Sequence, residues 1–323
     1  MASQLRNVLI FGATGVIGEI IVDAILAAPP GSFDRVGVFT SPSTAESKPA
    51  VLDSLRSRGA ETFVGNIENS DHVRNAYQGF DTVVSCLGRN MLLAQIQLLD
   101  LAESCSDVKR FYPSEFGTDI EYSSDSFKEK PHQAKLRVRE WFKSSPRRLE
   151  YTYLVTGPYA DLYLGKFNQD PRAGSFDVEK RQAVLLGDGR DPISLTTMND
   201  VGKLLVASLA HPEASRNKAL KVNSFTTTPN DILAEFERQM GALLNWRVQY
   251  TSLETLRLLE DNAYKDANPL APIYTLRRIW TEGGTLYESR DNELIGAAQV
   301  DTLEVAVQRA ISTAGEGFRS GEL

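Results

Sequence analysis

Two groups of residues in this sequence could do chemistry together. The first is Gly12, Gly15 and Gly18 in Asn7-Val-Leu-Ile-Phe-Gly12-Ala-Thr-Gly15-Val-Ile-Gly18, which join an apolar strand to an amphipathic helix. Gly12 permits a tight turn, Gly15 lets backbone approach a pyrophosphate, and Gly18 lets the helix pack closely on the strand. A helix N-terminus adds unpaired N–H groups and partial positive charge, so Gly12, Thr14, Gly15, Val16, Ile17 and Gly18 are the candidate phosphate contacts of a dinucleotide. Their Gly-x-x-Gly-x-x-Gly spacing is slightly longer than the commonest fingerprint. The second group is Lys135 with His132 one helical turn before it, placing both on one face. Leu136, Val138 and Trp141 supply apolar surroundings there. A lysine near apolar walls and a cationic nicotinamide has a lowered pKa, suited to proton transfer near neutrality.

The choice between NAD and NADP falls to the end of the second strand, where a carboxylate would bind the ribose 2′-OH. Here Thr40, Ser41, Ser43, Thr44 and Lys48 follow the strand, with no carboxylate before Glu46, and the chemistry favours NADPH. Asn66, after the third strand, should border the adenine, and Ser85, Leu87 and Gly88, after the fourth, the ribose or nicotinamide. Glu115 and Phe116 lie beyond the carboxyl end of the fifth strand, where ligands of open α/β sheets bind, and are candidate substrate contacts with His132.

These positions require an alternating frame. Asn7–Phe11, Arg35–Phe39, Glu61–Val64, Thr82–Ser85, Arg110–Tyr112 and Tyr151–Val155 read as strands, with helices between them. In Gly15–Ala27 the apolar residues Val16, Ile17, Ile20, Ile21, Ala24 and Ile25 mark one buried helical face. The pattern predicts a Rossmann-type, doubly wound parallel α/β sheet. Residues 158–191 lack periodicity and read as a long functional connection. Ile193–Leu195, the helix Asn199–Leu209 and Ala219–Val222 read as one more α/β unit returning to the sheet. Pro229–Gly241, Leu253–Asp261, Ile273–Trp280 and Thr302–Thr313 read as helices of a smaller lobe, with Trp246 and Trp280 in its core. The expected division is a cofactor domain of residues 1–155 and about 192–224, and a substrate lobe of about 156–191 and 225–323.

The stretch Arg110-Phe-Tyr-Pro-Ser-Glu-Phe-Gly117 resembles the isoflavone reductase and phenylcoumaran benzylic ether reductase group of NmrA-like atypical short-chain dehydrogenases, for which Pro-Ser-Glu-Phe-Gly is a signature. Lys135-Leu-Arg-Val-Arg139, Tyr151–Val155, Gly187–Gly189 and Ser194–Gly202 extend the resemblance from residue 7 to about residue 205. It implies bound NADPH, Lys135 as proton donor or base beside the nicotinamide, and a pocket shaped by Pro158 and Tyr159, with Tyr163 close behind. Two positions depart from the group. Thr40 and Ser41 stand where plant members usually carry a 2′-phosphate-binding arginine, and Pro131 stands where ordinary short-chain dehydrogenases place the tyrosine of Tyr-x-x-x-Lys. The implied activity is NADPH-dependent reduction of a small apolar, aromatic or enone-type metabolite. The alternatives are a dinucleotide-sensing regulator resembling NmrA, or an isomerase using the same site.

Composition removes other classes. The chain has 323 residues, 42% hydrophobic and 24% charged, as in ordinary globular proteins. Its 35 Lys+Arg against 42 Asp+Glu give a net charge of −7 without a basic run, which argues against nucleic acid and anionic membranes. Cys86 and Cys105 form neither a disulfide framework nor a zinc pattern, no other metal-ligand spacing stands out, and Cys86 is expected to pack at a strand end. With no signal-like or membrane-spanning apolar run, the expectation is a soluble cytoplasmic protein. Its sequence specifies no oligomeric state.

Overall fold

A computed structural model describes residues 5–144, 147–241 and 245–314; the ends of the expected domains, 1–4 and 315–323, lie outside the described residues. In chain order the strands are β1 (Asn7–Phe11), β2 (Arg35–Thr40), β3 (Glu61–Val64), β4 (Thr82–Ser85), β5 (Arg110–Tyr112), β6 (Glu150–Val155), β7 (Ser175–Asp177), β8 (Gln182–Leu186), β9 (Ile193–Leu195), β10 (Lys218–Lys221), β11 (Phe225–Thr227) and β12 (Arg247–Thr251). Seven of them form one sheet in the order β10-β6-β5-β4-β1-β2-β3, and each neighbouring pair is parallel. Parallel strands need crossovers, and helices provide them on both faces. Alternation along β1 shows the two faces: Val8 and Ile10 join one apolar cluster, while Leu9 and Phe11 join the other. The chain order reverses between β1 and β4, so the crevice for ligands opens beyond their carboxyl ends.

Two expectations change. Residues 158–191 are not merely a connection, because β7 and β8 pair antiparallel and β12 joins β8 in parallel to make a three-stranded sheet. All three residues of β7 are buried, so no polar–apolar alternation marked it in the sequence. The unit after residue 192 is also divided. Strand β9 pairs antiparallel with β11 in a separate two-stranded sheet, whereas β10, reached through the helix Met198–Ala210, returns to the main sheet beside β6.

The remaining segments are largely helical, at Pro229–Met240, Leu253–Lys265, Ala271–Thr281 and Leu303–Ser312. Thr228 starts the first with a reciprocal capping box to Asp231, closing two otherwise unpaired donors. These elements, together with the two small sheets, enclose their own apolar clusters. No helix among the described residues is long and apolar enough to cross a membrane.

Candidate active site

The glycine loop divides into structural and open positions. Gly12 has φ +77°, and a Cβ there would stand 2.6 Å from the Cys86 carbonyl oxygen; one on Gly18 would stand 2.0 Å from that of Gly12. The backbone geometry therefore requires both glycines. A Cβ on Gly15 would meet only the Gly12 oxygen, at 3.4 Å, an ordinary contact. Gly15 caps the helix Val16–Leu26 without a side-chain hydrogen bond, leaving the first-turn N–H groups without a side-chain acceptor. The segment after β2 folds as a short helix, Pro42–Ser47, capped by Ser41 Oγ, which accepts from Thr44 N at 3.1 Å. Lys48 Nζ donates to Thr14 O at 2.7 Å, tying this hydroxyl-rich segment to the glycine loop.

Beside this loop lies a cavity of about 490 Å³, within the usual range for small-molecule sites. Ile17, Leu87, Glu115, Phe116, His132, Lys135, Pro158, Tyr159 and Tyr163 all line it, bringing together residues from five separate chain segments. Lys135 projects from the helix Gln133–Lys143, and its Nζ donates to the Glu115 carbonyl oxygen. Burial lowers its pKa to about 8; Glu115 opposes this, and Arg89 and Arg139 reinforce it. Desolvation thus gives Lys135 the proton affinity of a general acid or base near neutrality.

Behind Lys135 the Glu115 carboxylate is fully engaged. Arg139 Nε donates to Glu115 Oε1 at 2.9 Å, its Nη2 to Oε2 at 3.1 Å, and its Nη1 to Glu121 at 2.7 Å. Burial alone would lower the Arg139 pKa, but Glu115, Glu121 and Asp119 outweigh it and raise the value. Glu115 therefore lines the cavity with its carboxylate paired to Arg139, and its backbone oxygen receives the lysine. His132 is 2% exposed and its Nε2 has no hydrogen-bond partner among the described residues. Burial, reinforced by Lys135, lowers its pKa to about 4, so the ring is neutral near pH 7. Tyr159 donates its hydroxyl to Phe116 O at 2.6 Å.

The sequence model of the NmrA-like family matches residues 4–277. The chain belongs to the NmrA-like family. Among its relatives, isoflavone reductase from Pisum sativum is 28% identical, aligned over 89% of this chain and 91% of the pea protein. Phenylcoumaran benzylic ether reductase PT1 from Pinus taeda is 26% identical over 82% of this chain and 84% of its own. The leucoanthocyanidin reductase of Vitis vinifera, solved as a binary complex with NADPH, superposes with a TM-score of 0.79 at 21% identity, covering 95% of this chain and 99% of that one. That likeness establishes the shared fold.

Other expected positions in this NmrA-like chain lie outside the cavity lining. Gly12, Thr14, Gly15, Val16 and Gly18 form the adjoining loop and helix start, Thr40 ends β2, and Ser41 caps the short helix after it. Asn66 is exposed, with Oδ1 accepting from Glu68 N at 2.9 Å. Ser85 is buried and its Oγ unpartnered, while Gly88 is exposed at the start of the turn Arg89–Ala94. Cys86 packs in the core, and burial raises its thiol pKa. Trp246 packs on Phe236 in the lobe core. Trp280 packs against the same cluster and also lines the cavity, donating Nε1–H to Thr118 Oγ1 at 2.8 Å. Its polar edge needs a partner, and the loop after β5 supplies one.

Among the cavity residues that escaped sequence reasoning are two arginines, Arg89 and Arg277. A signal existed for the second. Ile273, Leu276, Arg277 and Trp280 recur at three- and four-residue helical steps, and all four line the cavity, so an arginine sits within the apolar stripe.

Proposed function

We propose that this protein is an NADPH-dependent reductase of a small, mostly apolar aromatic or enone-type metabolite, with Lys135 as the proton-transfer residue. The observation that carries this reading is the lysine itself: a cation with its pKa lowered to about 8 by burial, tied to the Glu115 carbonyl and lining a cavity beside the glycine loop. A purely sensing protein has no need of such a group.

The residues fit the cofactor. Gly15 leaves open space at a helix N-terminus suited to a pyrophosphate, and Ser41, Ser43, Thr44 and Lys48 offer hydroxyl and ammonium donors suited to a 2′-phosphate. When bound, NADPH supplies a hydride. Lys135 then gives a proton from Nζ to the oxygen or carbon that becomes basic on reduction, while Glu115 O orients the ammonium. Neutral His132 offers Nε2 as an acceptor for a substrate hydroxyl. Trp280, Tyr163 and Leu162 exclude water from the cavity. In this reading, residues 1–155 and about 192–224 hold the cofactor, and the remaining segments shape the substrate space.

Calorimetry with both reduced cofactors, followed by an aromatic-enone and benzylic-ether panel read by loss of reduced-nicotinamide absorbance, tests the proposal. NADPH should bind more tightly than NADH, and at least one compound should drive its oxidation. Gly15→Val should abolish NADPH binding while circular dichroism stays native-like, because the fold tolerates the added carbon that the pyrophosphate would meet. Equal NADH affinity, or tight NADPH binding by the valine variant, would overturn the cofactor assignment.

A further inference from the structure

Reductive chemistry does not account for Arg277. It is 5% exposed on the helix Ala271–Thr281 and lines the cavity. Its guanidinium carbon lies 4.6 Å from the Tyr163 ring centroid and 5.2 Å from that of Trp280. Nη1 has no hydrogen-bond partner, and among the described residues no acid forms an ion pair with this side chain. Burial lowers the Arg277 pKa, and only Tyr163 opposes the shift.

The acids lining the cavity are engaged elsewhere or open to solvent. Glu115 belongs to Arg139, Asp177 pairs with Lys166 at 3.0 Å, and Asp161 accepts from Met198 N at 2.7 Å and faces Arg309 at 3.6 Å. Glu179 is exposed after β7. A buried, unpaired cation is unfavourable, and stacking on aromatic faces offsets only part of the desolvation cost. The two rings, with centroids 6.2 Å apart, lie to one side of the guanidinium and give it no hydrogen bond among the described residues, which leaves N–H donors for a planar acceptor.

We propose that Arg277 anchors a carboxylate on the substrate, so that the cavity takes an aromatic or enone acid rather than a neutral compound. A carboxylate is ionised at neutral pH and matches the donor fork in two-point geometry. A phenol would remain protonated in a buried site, and a phosphate monoester would bring close to two charges to one arginine. The proposal rests on reading the cavity as the substrate site, and it is independent of whether hydride transfer follows.

Trans-cinnamate and trans-cinnamamide, nearly identical in shape and different in charge, serve as probes in calorimetry on the protein with and without NADPH. Wild type should bind cinnamate about tenfold or more tighter than the amide, as a charge-assisted pair predicts. Arg277→Met should remove that preference while holding amide affinity within about twofold, and Arg277→Lys should retain only part of it. Thermal melts establish that the variants are folded, and the wild-type comparison stands without them. Equal wild-type affinities, binding of neither probe, or a preference that survives in Arg277→Met would overturn the proposal. Failure of the reductase reading shows separately, as an absence of NADPH binding or oxidation while the cinnamate preference persists.

Discussion

Arg139 and Arg277 are both buried near the cavity, at 1% and 5% exposure, yet their surroundings are opposite. Arg139, behind the lysine wall, meets Glu115 and Glu121 through its three guanidinium nitrogens, lies 3.6 Å from Asp119, and stacks 4.5 Å from the Tyr153 ring centroid. Arg277, on the helical wall, has two rings and no acid. Neighbouring acids raise the first pKa against burial, and burial lowers the second. The difference separates a charge used to hold the fold from a charge left for a ligand. On the lysine wall the polar partners come from within the chain, so the geometry at Lys135 is set before substrate arrives. The helical wall is completed only by what binds there.

The largest expected effect is on the chemistry that the lysine wall positions. With a validated substrate, Lys135→Ala should lower turnover by about 10²–10⁴ while NADPH affinity stays within a few-fold, as removal of a general acid does. Arg137, exposed on the same helix, supplies the control, and Arg137→Ala should turn over normally. Normal turnover by Lys135→Ala would sink the assignment.

Next come the two arginines themselves. Arg139→Met leaves the Glu115 carboxylate buried and unpaired, and urea unfolding should show a loss of about 3–5 kcal/mol. Arg277→Met removes an unpaired charge without stranding a partner, so its stability should change by less than about 1 kcal/mol or rise. Equal losses in the two variants would erase the distinction between them.

A pH profile sharpens the role of Lys135. In the proposed role its ammonium donates the proton, and with a pKa of about 8 that form is present below pH 8 and lost above it. Turnover should therefore be flat on the acid side and fall about tenfold per unit on the alkaline side. A rate that rises through pH 8 would instead make Lys135 the base.

The smallest effect concerns His132, whose folded pKa of about 4 lies below its ordinary value of 6.5. The unfolded chain binds the proton first as pH falls, so the stability this ring contributes is complete above pH 6.5 and lost as pH drops through 4. Near pH 5.5 the loss should be about 1 kcal/mol. His132→Gln should remove that component from the pH dependence of urea unfolding; an unchanged acid slope would show that the ring is solvated.

Legibility in the sequence followed the range of the interaction. The six strands placed before residue 156 match the observed elements within one residue at their ends, because long parallel crossovers leave apolar runs separated by helical periods. Strands β7 and β11 carry a single apolar residue each and display no period, whereas β9 is legible as Ile193–Leu195 but its antiparallel pairing with β11 is not. Lys135, Glu115 and Tyr163 all line the cavity, but the pairing of the Glu115 carboxylate with Arg139 was not legible because that partner lies on another element. Trp280 looked like core, and the hydroxyl that holds it at the cavity belongs to Thr118, far off in the chain.

The sequence by itself determined the glycine loop, the alternating frame and the turn and helix start that bring His132 and Lys135 within three residues of each other. Each is made by neighbours along the chain, so backbone sterics and residue spacing are sufficient to specify it. Tertiary structure alone decided the charges. Which of two arginines is neutralised, how far Lys135 is desolvated and whether an acid is free depend on low-dielectric contacts between segments distant in sequence. Arg139 finds Glu115 across the loop after β5, and among the described residues Arg277 finds the rings of Tyr163 and Trp280 and no ion-pair partner.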